Sequence, residues 1–86
     1  MLIHINYVEA LGVGGTPTVG NWNVTGLTSG GTPDSIDVLA NEIKLTYITD
    51  SVVGTVEVDQ TSIDNEAKTA EGVQVGTYAD IVATAL

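Results

Sequence analysis

The 86-residue chain has no cysteine, no phenylalanine and no arginine. Without cysteine there is no disulfide framework and no thiolate zinc site. Without arginine, and with Lys44 and Lys68 as the only lysines, the side chains that grip phosphate backbones are nearly missing. The single histidine, His4, leaves no His cluster for a transition metal. No apolar run approaches the ~20 residues of a membrane-spanning helix. The first residues, Met1-Leu2-Ile3-His4-Ile5, have no basic stretch leading into a long apolar one, so they do not form a secretory signal. A start at Met1 in a strand-like run points to synthesis in a cytoplasm.

What is present is acid and β-formers. Eleven Asp and Glu against two Lys give a net charge of −9. That balance disfavours direct nucleic-acid binding and anionic membranes. It favours basic partners, or serves only to keep a small β protein soluble and its edges apart. The hydrophobic share of 43% is too high for a disordered chain and is carried by Val, Ile, Leu and Ala. Val, Ile and Thr fit a pleated sheet, and Gly serves turns. The length suits one domain, residues 1–86, with a thin core. Small domains of this size commonly lean on a disulfide, a metal or a partner subunit, and here the partner is the device left.

Alternation locates the strands. In residues 2–8, Ile3, Ile5 and Tyr7 share one face, and His4 and Asn6 the other. Residues 18–25 carry Val19, Trp22 and Val24, with Gly20-Asn21 suited to a turn or bulge. Residues 34–42 fit two forms. Asp34 or Ser35 can cap a short helix with Ile36, Leu39, Ala40 and Ile43 on one stripe, or the segment can be extended. Residues 43–49 and 52–58 alternate around the Asp50-Ser51 turn and read as a hairpin. Residues 59–71 are polar and read as a loop. In residues 78–86, Ala79, Ile81 and Ala83 continue one face, so a closing strand is preferred to a terminal helix. Leu11, Gly14, Gly15, Thr16 and Pro17 recur 16 positions later at Leu27, Gly30, Gly31, Thr32 and Pro33. Two copies make paired loops and fall short of a solenoid. The expected fold is all-β: a small antiparallel sandwich or barrel of five to seven short strands, with room for one short helix.

No motif assembles a catalytic site. Acyl transfer needs a nucleophile, a base and an orienting group, and His4 has no sequence-adjacent partner set. Paired carboxylates of the glycosidase kind need a cleft that so small a domain rarely has. The loop Gly12-Val13-Gly14-Gly15-Thr16 follows a strand, yet Pro17-Thr18 stand where a P-loop needs Lys and Ser or Thr. Asp59, Asp64, Asn65 and Glu66 place oxygens in one polar stretch without the spacing of a calcium loop, so no cofactor and no metal is expected. Asn23-Val24-Thr25 is a glycosylation triplet, relevant only to a eukaryotic secreted chain.

Two resemblances add to this. Gly76-Thr77-Tyr78 followed by Ile81 resembles the Gly-x-Tyr segment near the late strands of immunoglobulin-like domains, without their flanking Cys and Asp. In composition the chain is similar to small bacteriophage virion proteins that decorate or cement a capsid: rich in Gly, Thr, Ala and Val, acidic, and strand-like from its first residues. That resemblance implies a non-enzymatic virion component, assembled in the host cytoplasm and bound in many copies to a coat lattice or to itself. Its partners would be protein subunits, docked through residues 2–8 and 78–86. Leu2, Ile3, Ile5, Trp22, Tyr78 and Ile81 are the candidate contact residues. Two other classes compete. One is an acidic inhibitor or nucleic-acid mimic that fills a basic groove, with Asp59, Asp64 and Glu66 in contact. The other is an adhesion or carbohydrate-binding module using Trp22 and the Gly-Gly-Thr-Pro loops.

Overall fold

A computed structural model describes residues 1–8, 10–12, 18–60 and 78–86. The fold is all-β. Among the described residues six strands run in chain order: β1 (Leu2–Tyr7), β2 (Trp22–Leu27), β3 (Ser35–Val38), β4 (Glu42–Thr46), β5 (Val52–Gln60) and β6 (Tyr78–Thr84). They form an antiparallel four-stranded sheet, β3-β4-β1-β6, and an antiparallel two-stranded sheet, β2-β5. The only helical turn among the described residues is a 3-10 turn over Val19–Asn21, where Gly20-Asn21 suggested a turn.

The alternation of β1 sets the large sheet. Ile3 and Ile5 face inward beside Leu45 and Ile43 of β4 and beside Ala83 and Ile81 of β6. His4 and Asn6 face outward beside Lys44 and Glu42 on one side and Val82 and Asp80 on the other. The smaller sheet adds Trp22, Val24 and Leu27 to the same buried cluster, with Leu11, Tyr7 and Tyr47. Leu11 and Leu27, equivalent in the two paired loops, are thus both core residues. Ten apolar side chains are buried among the described residues, and at ~1.5–3 kcal/mol each for the aliphatic members they are the main favourable term.

Residues 34–42 resolve as extended. Ile36 and Val38 pack against the core from β3, which pairs with β4 in the register Ile36↔Leu45 and Val38↔Ile43. The helical stripe would have required Leu39 inside, and Leu39 is exposed. Residues 78–84 are a strand, as the alternation suggested. The polar stretch starts later than expected, because β5 runs on through Asp59 and Gln60.

The expected hairpin of residues 43–49 with 52–58 does not form. β4 pairs with β1 and β3, whereas β5 pairs with β2. Hydrogen bonds show why. The Met1 ammonium donates to the Tyr47 carbonyl at 2.6 Å, and the Tyr47 N–H donates to the Met1 carbonyl at 2.9 Å. Tyr47 is buried, and its hydroxyl donates to the Gly31 carbonyl. The Ile48 N–H donates to Asp34 Oδ2 at 2.8 Å. The chain is therefore held in the large sheet through Tyr47. It then crosses to the other layer, where the Thr28 N–H donates to the Ser51 carbonyl at 3.0 Å.

One glycine has a defined task. In β2 the buried positions are Trp22 and Val24, then Leu27, so the inward parity changes at Gly26. Gly26 has φ +86°, and the β2–β5 register shifts between Thr25 and Leu27. A bulge here turns Leu27 into the core.

Candidate functional site

The outer face of the four-stranded sheet is a grid of polar side chains. Asp37, Lys44, His4 and Val82 lie in one row across β3, β4, β1 and β6. Glu42, Asn6 and Asp80 lie in the next. Asn6 Nδ2 donates to Asp80 Oδ1 at 2.6 Å, and Lys44 Nζ sits 3.9 Å from Asp37 Oδ2. That ion pair is largely solvated and contributes at most ~1 kcal/mol.

His4 joins three strands. Its Nδ1 is 3.2 Å from Glu42 Oε1, and its Nε2 is 2.7 Å from Thr84 Oγ1. Hydroxyl, imidazole and carboxylate follow one another in the order of an acyl-transfer triad. The partners are 38 and 80 positions away in sequence, so only the fold brings them together. Acyl transfer also needs donors aimed at an oxyanion and a cleft for the acyl group. This group lies on an open sheet face, and its hydroxyl is a β-branched secondary alcohol. Glu42 as a carboxylate only accepts, so Nδ1 donates to it, and with the Nε2–Thr84 contact the group ties β4, β1 and β6 together as a clamp.

A second cluster sits at the crossing between layers. Asp50 Oδ1 accepts from the Thr28 hydroxyl at 3.0 Å and from the Ser29 N–H at 2.7 Å. The Ser29 N–H is the main cause that holds the Asp50 carboxyl below the usual carboxylate range, with Thr28 and Gly30 adding to it. Burial pushes the Tyr47 phenol well above its usual value, and the charges of Asp50 and Asp34 push it further. Gly30 and Gly31 take positive φ, and Gly31 exchanges backbone hydrogen bonds with Val24. The second Gly-Gly-Thr-Pro loop is thus a brace for Tyr47 and β2. Its first copy, at residues 14–17, lies outside the described residues.

The expected contact residues divide. Ile3 and Ile5 are fully buried and Trp22 is 1% exposed, so these three belong to this chain's own core and are not available at its surface. The reason is the second sheet, which covers the inward face of β1. Burial of Trp22 also removes the stacking surface that the carbohydrate-binding alternative required. Leu2 is half-buried on the outer face, and Ile81 is half-buried, packed against the core from the edge. Tyr78 opens β6, its backbone paired with Tyr7. The acidic stretch from Asp59 to Glu66, with its calcium alternative, falls on side chains outside the described residues. Among the described residues no three His, Asp or Glu gather as a metal site, and no helix is long and apolar enough to cross a membrane.

Sequence reading missed the exposed apolar side chains. Ile48, Val52, Val53, Val82 and Leu86 are all more than 40% exposed. A shallow recess of about 290 Å³ opens between the end of β6 and the start of β5, lined by Met1, Val52, Ala83 and Ala85 among others. A two-stranded sheet cannot cover a four-stranded one, so inward residues toward the β5–β6 side stay half-open: Val56, Val58 and Ile81. The adjacent Val52-Val53 pair was the available clue, since alternation can bury only one of them. Compared with known proteins, the chain matches no family model, no curated protein and no solved structure.

Proposed function

We propose that this chain is a non-enzymatic structural subunit. It acts through protein–protein contacts in a multi-copy assembly, most simply as a decoration or cement protein of a phage virion. The observation that carries this reading is the partly covered sheet: apolar side chains and the recess on the β5–β6 side of an otherwise polar, acidic domain. Exposed apolar surface with polar surroundings marks contact surfaces. The compositional likeness to virion proteins supplies the class of assembly, and its site is the virion. The partners are coat subunits or further copies.

The acidic-mimic alternative fits less well. A mimic needs one continuous band of charge, and here Asp37, Glu42 and Asp80 are interleaved with Lys44, His4 and Asn6. A salt series separates the readings. Protein captured from its source should keep its partner when NaCl rises to about 0.5 M, because apolar and backbone contacts are screened little. A partner held by opposite charge is released over that range, and such release contradicts the subunit reading.

A further inference from the structure

We propose that two copies of this chain pair through the edge of β6 that has no strand partner among the described residues, antiparallel about a two-fold axis at Val82, to make one continuous eight-stranded sheet. The inference rests on the subunit reading and specifies its contact.

Four strands have an edge without a strand partner among the described residues: β2, β3, β5 and β6. The open edge of β2 is taken at Val24 by the bridge to Gly31, and β3 and β5 carry features that block edge pairing. β3 has four residues, with Asp37 in its middle and Asp34 just before it. β5 carries Glu57 and Asp59, and its ladder is irregular opposite Gly26. β6 differs. It has seven residues, and after Asp80 it reads Ile81-Val82-Ala83-Thr84, without charge, Gly or Pro. Its ladder with β1 is regular from Asp80 to Thr84, so that stretch is unbulged. A regular, uncharged, partly apolar edge is a template for another strand.

The sequence of this edge is complementary to itself. Centring the pair on Val82 sets Val82 opposite Val82, Ile81 opposite Ala83, and Asp80 opposite Thr84. Parity is kept, so outward residues meet outward ones. No carboxylate faces a carboxylate, and each Asp80 meets a hydroxyl. The small Ala83 receives the larger Ile81 on the core-facing side, next to the recess lined by Met1, Val52 and Ala83. Val82, 42% exposed beside His4, gains a β-branched neighbour. A seven-residue edge is ~23 Å long and is small beside the ~1,600 Å² of a standard stable interface. Two copies of charge −9 also repel. Isolated copies therefore pair weakly, and pairing strengthens with salt and with the crowding of an assembled lattice.

The absence of cysteine makes the test direct. In this register the two Val82 Cα atoms lie ~4.5–5.5 Å apart, within disulfide reach, while the two Asp80 positions are offset by ~13 Å along the strands. Val82→Cys under mild oxidation should form covalent dimer at least ten-fold faster than Asp80→Cys or Thr25→Cys, all exposed sites. Sedimentation equilibrium of the cysteine-free chain at millimolar concentration should show dimer that grows with NaCl, and Val82→Lys should remove it. Equal cross-linking at the three sites, or a monomer at every concentration and salt, overturns the pairing. Failure here by a protein that still sediments with particles sinks the pairing alone. A Val82-linked dimer that never meets a particle keeps the pairing and sinks the virion role.

Discussion

Gly26→Ala is the sharpest perturbation of the fold, because its cost can be built from the geometry. A Cβ at residue 26 would stand 2.2 Å from the Thr55 carbonyl oxygen, 2.6 Å from its carbon and 3.1 Å from the Val56 nitrogen. These are backbone atoms of the paired strand, and no rotamer relieves them. Reaching ordinary contact moves β2 and β5 apart by about 1 Å, which takes a hydrogen bond of ~2.9 Å outside the bonding range. One or two ladder bonds are lost at ~1 kcal/mol each, and the positive φ adds ~1–2 kcal/mol for a residue with a Cβ. The stiffer unfolded chain returns ~0.4–1 kcal/mol. The net loss is about 2–3 kcal/mol, against a total of ~4–13 kcal/mol for a domain of this length. At ~4–8 °C per kcal/mol, Tm should fall by roughly 10–20 °C. Urea and thermal unfolding followed by Trp22 fluorescence would read it, since Trp22 is the only Trp and opens the same strand. Gly20→Ala is the control: nothing lies within 4 Å of the added carbon, and stability should stay within ~0.5 kcal/mol. A Gly26→Ala protein within ~1 kcal/mol of the parent, with unchanged Trp22 emission, would refute the bulge and the parity change built on it.

Four further outcomes follow from the core and the crossing. Trp22→Ala should cost ~3–5 kcal/mol and leave the domain near unfolding in a urea titration; a well-folded variant would return Trp22 to the surface. Tyr47→Phe should cost ~1 kcal/mol by removing the hydroxyl's bond to the Gly31 carbonyl, which keeps its bond from the Val24 N–H. In an ultraviolet pH titration one of the three tyrosines should resist ionisation well past its usual range. Because the folded state raises that pKa, the associated stability is complete below ~10 and is lost as pH rises beyond it. Three tyrosines titrating together would contradict the burial. Asp50 has the opposite sign: its folded pKa is depressed, so its contribution is present above the ordinary carboxylate value and is lost as pH falls through the folded one. Asp50→Asn should therefore flatten the acid limb of a urea-midpoint profile, and an unchanged limb would count against the Thr28–Ser29 clamp.

Residues with clean alternation were legible in the sequence. Ile3, Ile5 and Tyr7, and Ile43, Leu45 and Tyr47, lie inward as their period-two spacing required. Residues 34–42 were ambiguous because Ile36 and Val38 fit a strand while Ile36, Leu39 and Ala40 fit a helix. Pairing with β4 decides between them, and that contact is tertiary. The false hairpin came from reading Asp50-Ser51 as a tight turn; the chain bends at Ile48-Thr49 and crosses between layers instead. Only the long-range bonds of Tyr47 to Met1 and Gly31 show this. Contact residues were the least legible. Core and interface use the same apolar side chains, and exposure depends on how far the second sheet reaches. Ile3 and Ile5 lie under it and Trp22 packs inward from it, whereas Val82 faces outward beside His4 and Val52 stays exposed at the start of β5.

The subunit role is tested most directly by where the native protein sediments in a gradient of its source lysate. The protein should appear in a fraction of megadalton particles, at many copies per particle and still bound in high salt. A protein found only as a free small species, in low salt and high, would contradict that role.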